Sequence, residues 1–421
     1  MMDQRGSADT TDMSGQGIFG QYRTWFLIGL LNLLAAGIIG TLLRAMYITE
    51  LSFVRFRPWL HGHSHTALLG WLFLGIVIAL LHDGGNGPLT KRIRNLLIAA
   101  QIAVLVMLFS FPVQGYGAVS ISASFIHMMI AYVLCAILWK SSRGWPKRGS
   151  RALTRWAIGF FVLSTLGVWA IAPINALGMR GDEIYYWSVQ WFLHMQFNGW
   201  FWFAAMALGV RWAERQNIPI EMDRSTLYLW VLSAILTYAL AIAWSEPHPA
   251  VFALVSIGVV VQLWAAWRTL KLIRPLRSQA HGKFSKMGRW LVGIALISMA
   301  LKVLVQGAVA IPAVATMAFT IRHYVMGFIH MNTLGTMTMF VLAYALLHKW
   351  FEARGVLVKW GVLLMIIGII SSELLLFLQG TFFWAGWGLI TGHYWHIFLA
   401  SALIPLGVLM VIAGEMIPRR A

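Results

Sequence analysis

The sequence predicts an all-α, polytopic integral membrane protein with twelve transmembrane helices. Of its 421 residues, 59% are hydrophobic and 11% are charged, whereas soluble domains are about 45–50% apolar and about 25% charged. Twelve apolar runs follow one another along the chain, and a run of about 20 such residues crosses a bilayer as a helix. These observations exclude a soluble enzyme, a disulfide-stabilised scaffold and a disordered chain.

Short polar loops separate the apolar runs, and no soluble domain is inserted between them. Helices are the expected structure of each run, because every backbone polar group must find a partner within the lipid core. We expect residues 1–24 to form a cytoplasmic N-terminal tail, 25–415 the transmembrane domain and 416–421 a cytoplasmic C-terminal tail. The twelve spans are predicted at 25–43, 65–83, 94–114, 119–139, 155–173, 187–209, 226–244, 247–268, 288–312, 321–347, 356–378 and 394–415.

Basic residues predict the orientation of these spans. Of the 32 Lys and Arg residues, 26 fall in the termini and in the loops that follow even-numbered spans. The positive-inside rule then places both termini in the cytoplasm, so that even-numbered spans run inward. The expected location is the bacterial inner membrane, as a multi-pass protein. The net charge of +18 is therefore attributed to orientation, and no nucleic-acid partner is expected.

Most of the histidines lie at a similar depth in the membrane when they are placed on these predicted spans, and we call this set the histidine layer. Ten of the 13 histidines lie at the start or in the first half of even-numbered spans, which is the outer half of the membrane. Ionisable residues inside a membrane are costly and usually functional. The layer therefore favours a cofactor or metal site near the outer face over histidines that are merely wetted at the interface. The ten are His61, His63, His65, His127, His194, His248, His323, His330, His393 and His396, and the other three are His82, His281 and His348.

The spacing of the histidines defines three motifs. In span 2, His61 and His65 share one helical face, and His63 points away from them. In span 10, His323 and His330 share a face but are about 10 Å apart along the axis. They could serve two centres at different depths, or one could be a ligand and the other a propionate contact. In each of three motifs, a glycine lies five residues after a histidine: His65 and Gly70, His194 and Gly199, and His330 and Gly335. A glycine lets a helix or a flat macrocycle approach closely.

Other polar residues inside the spans have two interpretations each. Gln196 and Asn198 either hydrogen-bond to a histidine or ligand, or join neighbouring helices as polar contacts. Lys302 in span 9 and Glu373 in span 11 either pair or relay protons, or face a cavity as packing elements. The sequence leaves these alternatives open.

At these motifs the chain resembles the catalytic subunit of haem-copper oxidases, closest to the nitric oxide reductase and cbb-type oxidase branch. The resemblance covers the topology of almost the whole chain, but only three short blocks of sequence. Arg57-Pro58 followed by His61 or His65 is similar to the family's basic stretch and axial haem ligand in span 2. His330, with its glycine five residues on, is similar to the second axial ligand.

The third block and two departures concern the metal centre of that family. His194 in span 6 matches a histidine that ligates the non-haem metal, and Asn198 stands where the reductases have a glutamate. Span 7 lacks the family's His-His pair, and Phe328 stands where the high-spin haem ligand would be. The resemblance therefore implies that the low-spin haem site is retained and that the binuclear centre is altered.

The resemblance implies a haem-copper-oxidase subunit I-like fold and a haem-binding redox protein of respiratory electron transfer or of NO and O₂ metabolism. It implies at least one b-type haem, held by His330 with His65 or His61, and we expect His65 because its continuation mirrors that of His330. Copper or non-haem iron is a further candidate cofactor, and whether the protein is an oxidoreductase is left open. The candidate propionate contacts are Arg55, Arg57 and Arg322, and the candidate metal ligands are His63, His127, His194 and His323.

The expected partners are the lipid bilayer, an electron donor (cytochrome c, a cupredoxin or a quinol) and small subunits. A second, weaker resemblance is to haem- and copper-containing membrane proteins of the nitric oxide response, through the His61-Gly-His63 block. Two hypotheses from other classes remain. One is a transition-metal transporter or channel whose outer histidine layer admits the metal, and the other is an assembly or scaffold subunit with an empty fold.

Overall fold

The computed structural model describes residues 20–417 except 86, 219, 247, 275, 277–278, 280–281 and 354. Residues 1–19 and 418–421, most of the two predicted tails, therefore lie outside the described residues, as does His281. Within the described part the chain is helical and has no strand. Twelve long helices follow the order of the predicted spans: α1 Tyr22–Ala45, α2 Phe56–Gly84, α3 Lys91–Gln114, α4 Ala118–Ser141, α5 Ser150–Ala176, α6 183–215, α7 Arg224–Ile242, α8 Pro249–Ile273, α9 Lys286–Ala308, α10 Arg322–Leu347, α11 Val356–Trp384 and α12 His393–Met416.

Eleven of these helices, counted over the described residues, are long and apolar enough to cross a membrane. Helix α6 is not among the eleven, because its middle carries Trp, Tyr, His, Gln and Asn side chains that lower its hydropathy. The prediction of an all-helical, multi-pass membrane protein is confirmed for the described part. The number of twelve transmembrane spans stays a prediction, and so do the oxidase-like fold, the cytoplasmic termini and the bacterial inner membrane.

Helices α2, α6 and α10 form the interior of the bundle. Helix α2 contacts both α6 and α10, and each of the three packs against the helices before and after it in the chain. Helix α12 packs on α11 and on α1, which joins the two ends of the chain. In the most apolar stretch of α2, 72% of the residues are buried, against 28% in the peripheral α8. The three motifs of the sequence therefore lie on the three central helices.

Each central helix changes to π-helical geometry directly after its histidine motif. The π-helical segments are Thr66–Phe73 in α2, Gln196–Trp200 in α6 and Met331–Thr338 in α10. π-helical segments are rare in proteins, and those that occur often lie at functional sites. In this chain the three segments lie on every fourth helix, a regularity that the residue identities do not show.

The glycine of each motif lies inside its π-helical segment and admits a neighbouring side chain. A Cβ atom at Gly199 would lie 2.4 Å from Cγ of Phe160 in α5, and one at Gly335 would lie 2.7 Å from Oγ of Ser298 in α9. At Gly70 the nearest atoms belong to α3 and α1, again at less than 3.0 Å. Of the two predicted uses of these glycines, the structure therefore shows the close approach of helices.

Candidate functional site

The outer end of the bundle, defined as the end where the even-numbered helices begin, carries the histidine layer. The structure divides this layer into separate groups instead of one site. We name the largest the outer cluster, and it comprises Arg44, His63, His323, His330, Glu373 and His393, contributed by α1, α2, α10, α11 and α12.

The centre of the outer cluster is the pair His63 and His330. His63 lies within electrostatic range of His330 across the interface between α2 and α10. Nδ1 of His63 is 2.8 Å from the carbonyl oxygen of Ala36 in α1, and a Cβ atom at Gly40 would lie 3.0 Å from the imidazole. The ring of His63 is thus oriented by α1.

His330 is oriented from the other side of the outer cluster. Its Nδ1 atom lies 3.8 Å from Oε1 of Glu373 in α11. His330 lies within α10, and 29% of its side-chain surface is accessible. The side chain is therefore not fully enclosed by protein atoms.

The remaining members add charge and unsatisfied polar atoms to the outer cluster. Arg44 lies within electrostatic range of Glu373 and of His323, and the rings of His323 and His393 are 5.4 Å apart between centroids. Both carboxylate oxygens of Glu373 and Nδ1 of His393 are buried without a hydrogen-bond partner. Buried polar atoms normally have partners, so these orphans mark a place where a polar or charged ligand would be stabilised.

His61 and His65 face away from the outer cluster. The ring of His65 packs on Phe111 at 4.4 Å, and the ring of His61 packs on Tyr116 at 4.5 Å. Nδ1 of His65 is 3.0 Å from the carbonyl oxygen of His61. Burial raises the pKa of Tyr116, in the loop after α3, to about 12, so this contact is with a neutral phenol at physiological pH. His127 is buried close to His65 and packs edge-on to a phenylalanine of α2.

His194 is bound by protein atoms at both ring nitrogens. Nε2 lies 2.8 Å from the carbonyl oxygen of Ala234 in α7, and Nδ1 accepts from the Asn198 amide at 3.2 Å. The Gln306 amide donates to Asn198 Oδ1 at 3.0 Å, and the Gln262 amide donates to Gln306 Oε1 at 2.8 Å. These residues form a polar chain through α7, α6, α9 and α8, so the structure favours the interhelical role of Asn198.

The other polar residues of the spans also have protein partners. Gln196 donates to Oγ of Ser164 in α5 at 2.8 Å. The ammonium of Lys302 lies over the ring of Trp202 at 4.1 Å, while Glu373 belongs to the outer cluster. Lys302 and Glu373 are thus in different parts of the bundle.

The three arginines predicted to contact propionates are spread over the outer end. Arg55 donates to the carbonyl oxygens of Pro112 and Val113, so it caps the end of α3. Arg57 is exposed near His61. Arg322 lies over the ring of Phe56 at 5.5 Å and within electrostatic range of His323. Arg44 belongs to the outer cluster, although it is not among the arginines predicted to contact propionates. Its signal in the sequence is its place directly after span 1, at the outer end.

Of the predicted metal ligands, His63 and His323 belong to the outer cluster, whereas His127 and His194 lie in two other groups. Over the described residues, the one set of three or more His, Cys, Asp or Glu side chains with ligand atoms close enough to share a metal is His82, Asp83 and His348. This set lies at the opposite, inner end. His82 and His348 are not among the metal ligands predicted from the sequence, because they lie outside the outer histidine layer. The adjacent residues His82 and Asp83 are nevertheless two potential metal ligands that the sequence shows.

The residues of the outer cluster fit a bis-histidine haem. Such a haem needs two neutral imidazoles on facing helices, each fixed through one nitrogen and free at the other. Nδ1 of His63 is taken by a backbone carbonyl, and Nδ1 of His330 faces Glu373, which leaves Nε2 of each ring as the ligating atom. The accessible surface beside His330 and the unpartnered Glu373 oxygens agree with a polar group bound there.

Comparison with known proteins does not assign a family. No protein-family model matches the chain, and no curated protein matches its sequence. The resemblance to haem-copper oxidases therefore stays a prediction from topology and motifs.

Proposed function

We propose that this chain is a membrane redox protein that binds one low-spin b-type haem between His63 of α2 and His330 of α10. The observation that carries the proposal is the proximity of these two imidazoles in the outer cluster, where Nδ1 of His63 is bound by the Ala36 carbonyl of α1 and Nδ1 of His330 faces the Glu373 carboxylate of α11 at 3.8 Å. The order of the helices and the histidine motifs of α2, α6 and α10 further support a relationship to haem-copper oxidases and nitric oxide reductases.

The proposal changes one of the two axial ligands expected from the sequence. His65 was expected because the residues after it resemble those after His330, but its ring packs on Phe111. His61 packs on Tyr116 on that same face. His63 is the histidine of α2 on the side of α10, so we assign the second ligand to it.

Each protein group in the outer cluster has a role in this proposal. A bis-histidine haem is coordinatively saturated, so it supplies one-electron transfer and not O₂ binding. The Ala36 carbonyl and the Glu373 carboxylate orient the two imidazoles. Arg44 supplies a positive charge inside the cluster, and arginine is suited to bind carboxylates such as haem propionates.

The place of the protein in metabolism follows from the same proposal. We assign it to respiratory electron transfer or NO and O₂ metabolism in the bacterial inner membrane, with both termini cytoplasmic and with cytochrome c, a cupredoxin or a quinol as donor. No copper or non-haem iron is proposed at the outer end, because over the described residues the four predicted ligands do not form a set whose ligand atoms are close enough to share a metal. The same finding gives no support to a metal transporter.

The test is the absorption spectrum of the detergent-purified protein, with haem quantified per chain. We expect one b-type haem with a low-spin reduced spectrum that carbon monoxide does not shift. His63→Ala and His330→Ala should lose the haem or its low-spin spectrum, whereas the control His65→Ala should retain both. A wild-type protein without a Soret band contradicts the proposal, and loss of the haem in His65→Ala alone contradicts the ligand assignment.

A further inference from the structure

Three potential metal ligands meet at the inner end of the bundle, far along the helices from the outer cluster. His82 and Asp83 lie in the last turn of α2, and His348 follows the last residue of α10. One ligand atom from each lies within 4.8 Å of the other two, and the rings of His82 and His348 are 4.4 Å apart between centroids. A small contraction would bring the three atoms to the first coordination shell of one ion.

Asp83 points to a cation independently of that geometry. Its side chain is only 2% exposed, and neither carboxylate oxygen accepts a hydrogen bond of regular geometry. Arg215 of α6 lies 3.2 Å from Oδ1 and donates to the backbone carbonyl of Asp83 at 3.0 Å. The arginine thus approaches Oδ1, while the carboxylate stays buried close to the Tyr344 hydroxyl and to the two imidazoles.

The Tyr344 hydroxyl holds one ring nitrogen of His82, at 3.0 Å from Nδ1. When this hydroxyl donates to the carbonyl oxygen of Ala79 at 3.2 Å or to the nearby Asp83 carboxylate, it is the acceptor of a proton on Nδ1. His82 then carries its proton on Nδ1 and presents the lone pair of Nε2. An outer group that holds the other ring nitrogen is typical of metal-bound histidines.

Aromatic rings enclose the same three side chains. Trp350 packs against His82 at 5.4 Å and Tyr22 packs against it at 5.0 Å between centroids. The ring of Tyr344 lies 4.3 Å from that of His348. These contacts restrict the rotamers of both histidines, which lowers the entropy that a bound ion would have to remove.

We propose that His82, Asp83 and His348 form a site for a divalent transition-metal ion of the Zn²⁺ type. Two imidazoles and one carboxylate with a fourth position open are a ligand set that such ions favour. Because His82 lies in α2 and His348 directly follows α10, the ion would join the inner ends of two of the three central helices. This site does not depend on the proposed haem.

The test uses full-length protein in detergent, stripped with a chelator and titrated with Zn²⁺ by calorimetry and with Co²⁺ by visible absorption. We expect one equivalent that is weakened at least tenfold in His82→Gln, Asp83→Asn and His348→Gln, with loss of the tetrahedral Co²⁺ bands. His248→Gln, a histidine at the start of α8, is the matched control and should bind as the wild type does. Arg215→Gln should tighten binding, because it removes a positive charge that competes for Asp83.

Two results would overturn the site. One is a wild-type protein that takes up no Zn²⁺, and the other is a set of three variants whose affinity and stoichiometry equal those of the wild type. Gel filtration and thermal unfolding establish that each variant is folded. If Asp83→Asn does not fold, His348→Gln decides alone, because this ligand lies beyond the end of its helix. Haem content separates this outcome from the proposed function, since the inner variants should retain the haem.

Discussion

The indole nitrogen of Trp71 donates a hydrogen bond to Oγ of Thr338 at 2.9 Å, and so joins the π-helical segments of α2 and α10. Both side chains are buried, with exposures of 1% and 0%. Thr338 in turn donates to the carbonyl oxygen of Thr333 at 2.8 Å, five residues earlier, as the wider π turn allows. The two helices that carry the proposed haem ligands are therefore held in one register by a buried hydrogen bond.

Trp71→Phe should weaken this connection. The change removes the only donor that the indole offers and leaves a space in the core, and a lost buried hydrogen bond costs about 1–3 kcal/mol. We expect a lower thermal unfolding midpoint in detergent, together with a reduced haem-to-protein ratio. Trp290→Phe, at a side chain that is 54% exposed, is the control, and an equal effect of both changes would contradict this reading.

Much of the fold could be predicted from the sequence, because the bilayer permits so few structures. Length and apolarity locate most spans within a few residues, as for α1, which begins at Tyr22 where residue 25 was expected. The exception is α2, which begins at Phe56 where residue 65 was expected. The π-helical segments could not be predicted, since one extra residue per turn leaves no periodicity to read over so short a stretch. The five-residue spacing from His to Gly was the one feature of the sequence that coincided with these segments. Its physical cause is the close approach of a neighbouring side chain, as of Phe160 to Gly199.

Gly199→Ala should destabilise the protein, whereas Gly209→Ala in the same helix should not. A Cβ atom at Gly199 would lie 2.4 Å from the base of the Phe160 ring, while nothing lies within 4 Å of one at Gly209. Overpacking of a core typically costs about 1–3 kcal/mol, and alanine at an open helical position gains about 0.5–1 kcal/mol over glycine. The two thermal unfolding midpoints should thus move in opposite directions. Movement in the same direction would show that α5 does not approach α6 as closely as described.

The site was less predictable than the fold, because the face that a side chain presents depends on its neighbours. Spacing placed His63 opposite His61 and His65, but could not say which of the two faces meets α10. Contacts with Phe111 and Ala36 decide this point. Spacing also could not show that both nitrogens of His194 are bound within the protein. Every residue has a backbone carbonyl, and nothing in the sequence indicates that the carbonyl of Ala234 binds His194.

The polar chain through α6, α8 and α9 should respond as a unit. Gln306 both donates to Asn198 and accepts from Gln262, so Gln306→Ala leaves Oδ1 of Asn198 and the amide nitrogen of Gln262 without these partners, at about 1–3 kcal/mol each. In a double-mutant cycle, Asn198→Ala and Gln306→Ala should couple by about 0.5–3 kcal/mol. Asn32→Ala, in a separate network with Gln101, should add to Gln306→Ala without coupling. Strictly additive effects of Asn198→Ala and Gln306→Ala would show that the two residues do not belong to one network.

Asp223 should make the stability of α7 depend on acidic pH. Partial burial acts to raise the pKa of Asp223, but hydrogen bonds from Ser225 and Thr226 and the charge of Arg268 outweigh it and hold the pKa well below the ordinary 3.8. Because the folded-state pKa is depressed, the stabilisation is complete above about pH 4 and is lost as the pH falls through the folded-state pKa.

Asp223→Ala measures that contribution. It removes the cap that accepts from the Thr226 amide at 3.0 Å, which costs about 0.5–2 kcal/mol. The difference between wild-type and variant unfolding midpoints should be constant from about pH 5 to 8 and should shrink below about pH 4. A difference that grows on acidification would have the wrong sign for a depressed pKa.

Gly40 of α1 should control the orientation of His63. A Cβ atom there would lie 3.0 Å from Cε1 and 3.2 Å from Nδ1 of the imidazole, so the two additional methyl groups of Gly40→Val must displace the ring from the Ala36 carbonyl. If His63 is an axial ligand, this displacement changes the ligand field without removing the ligand. We expect a shifted low-spin electron paramagnetic resonance signal and a lower haem occupancy. Gly293→Val in α9, where nothing lies within 4 Å, controls for the valine itself, and an unchanged signal in Gly40→Val would place the haem away from His63.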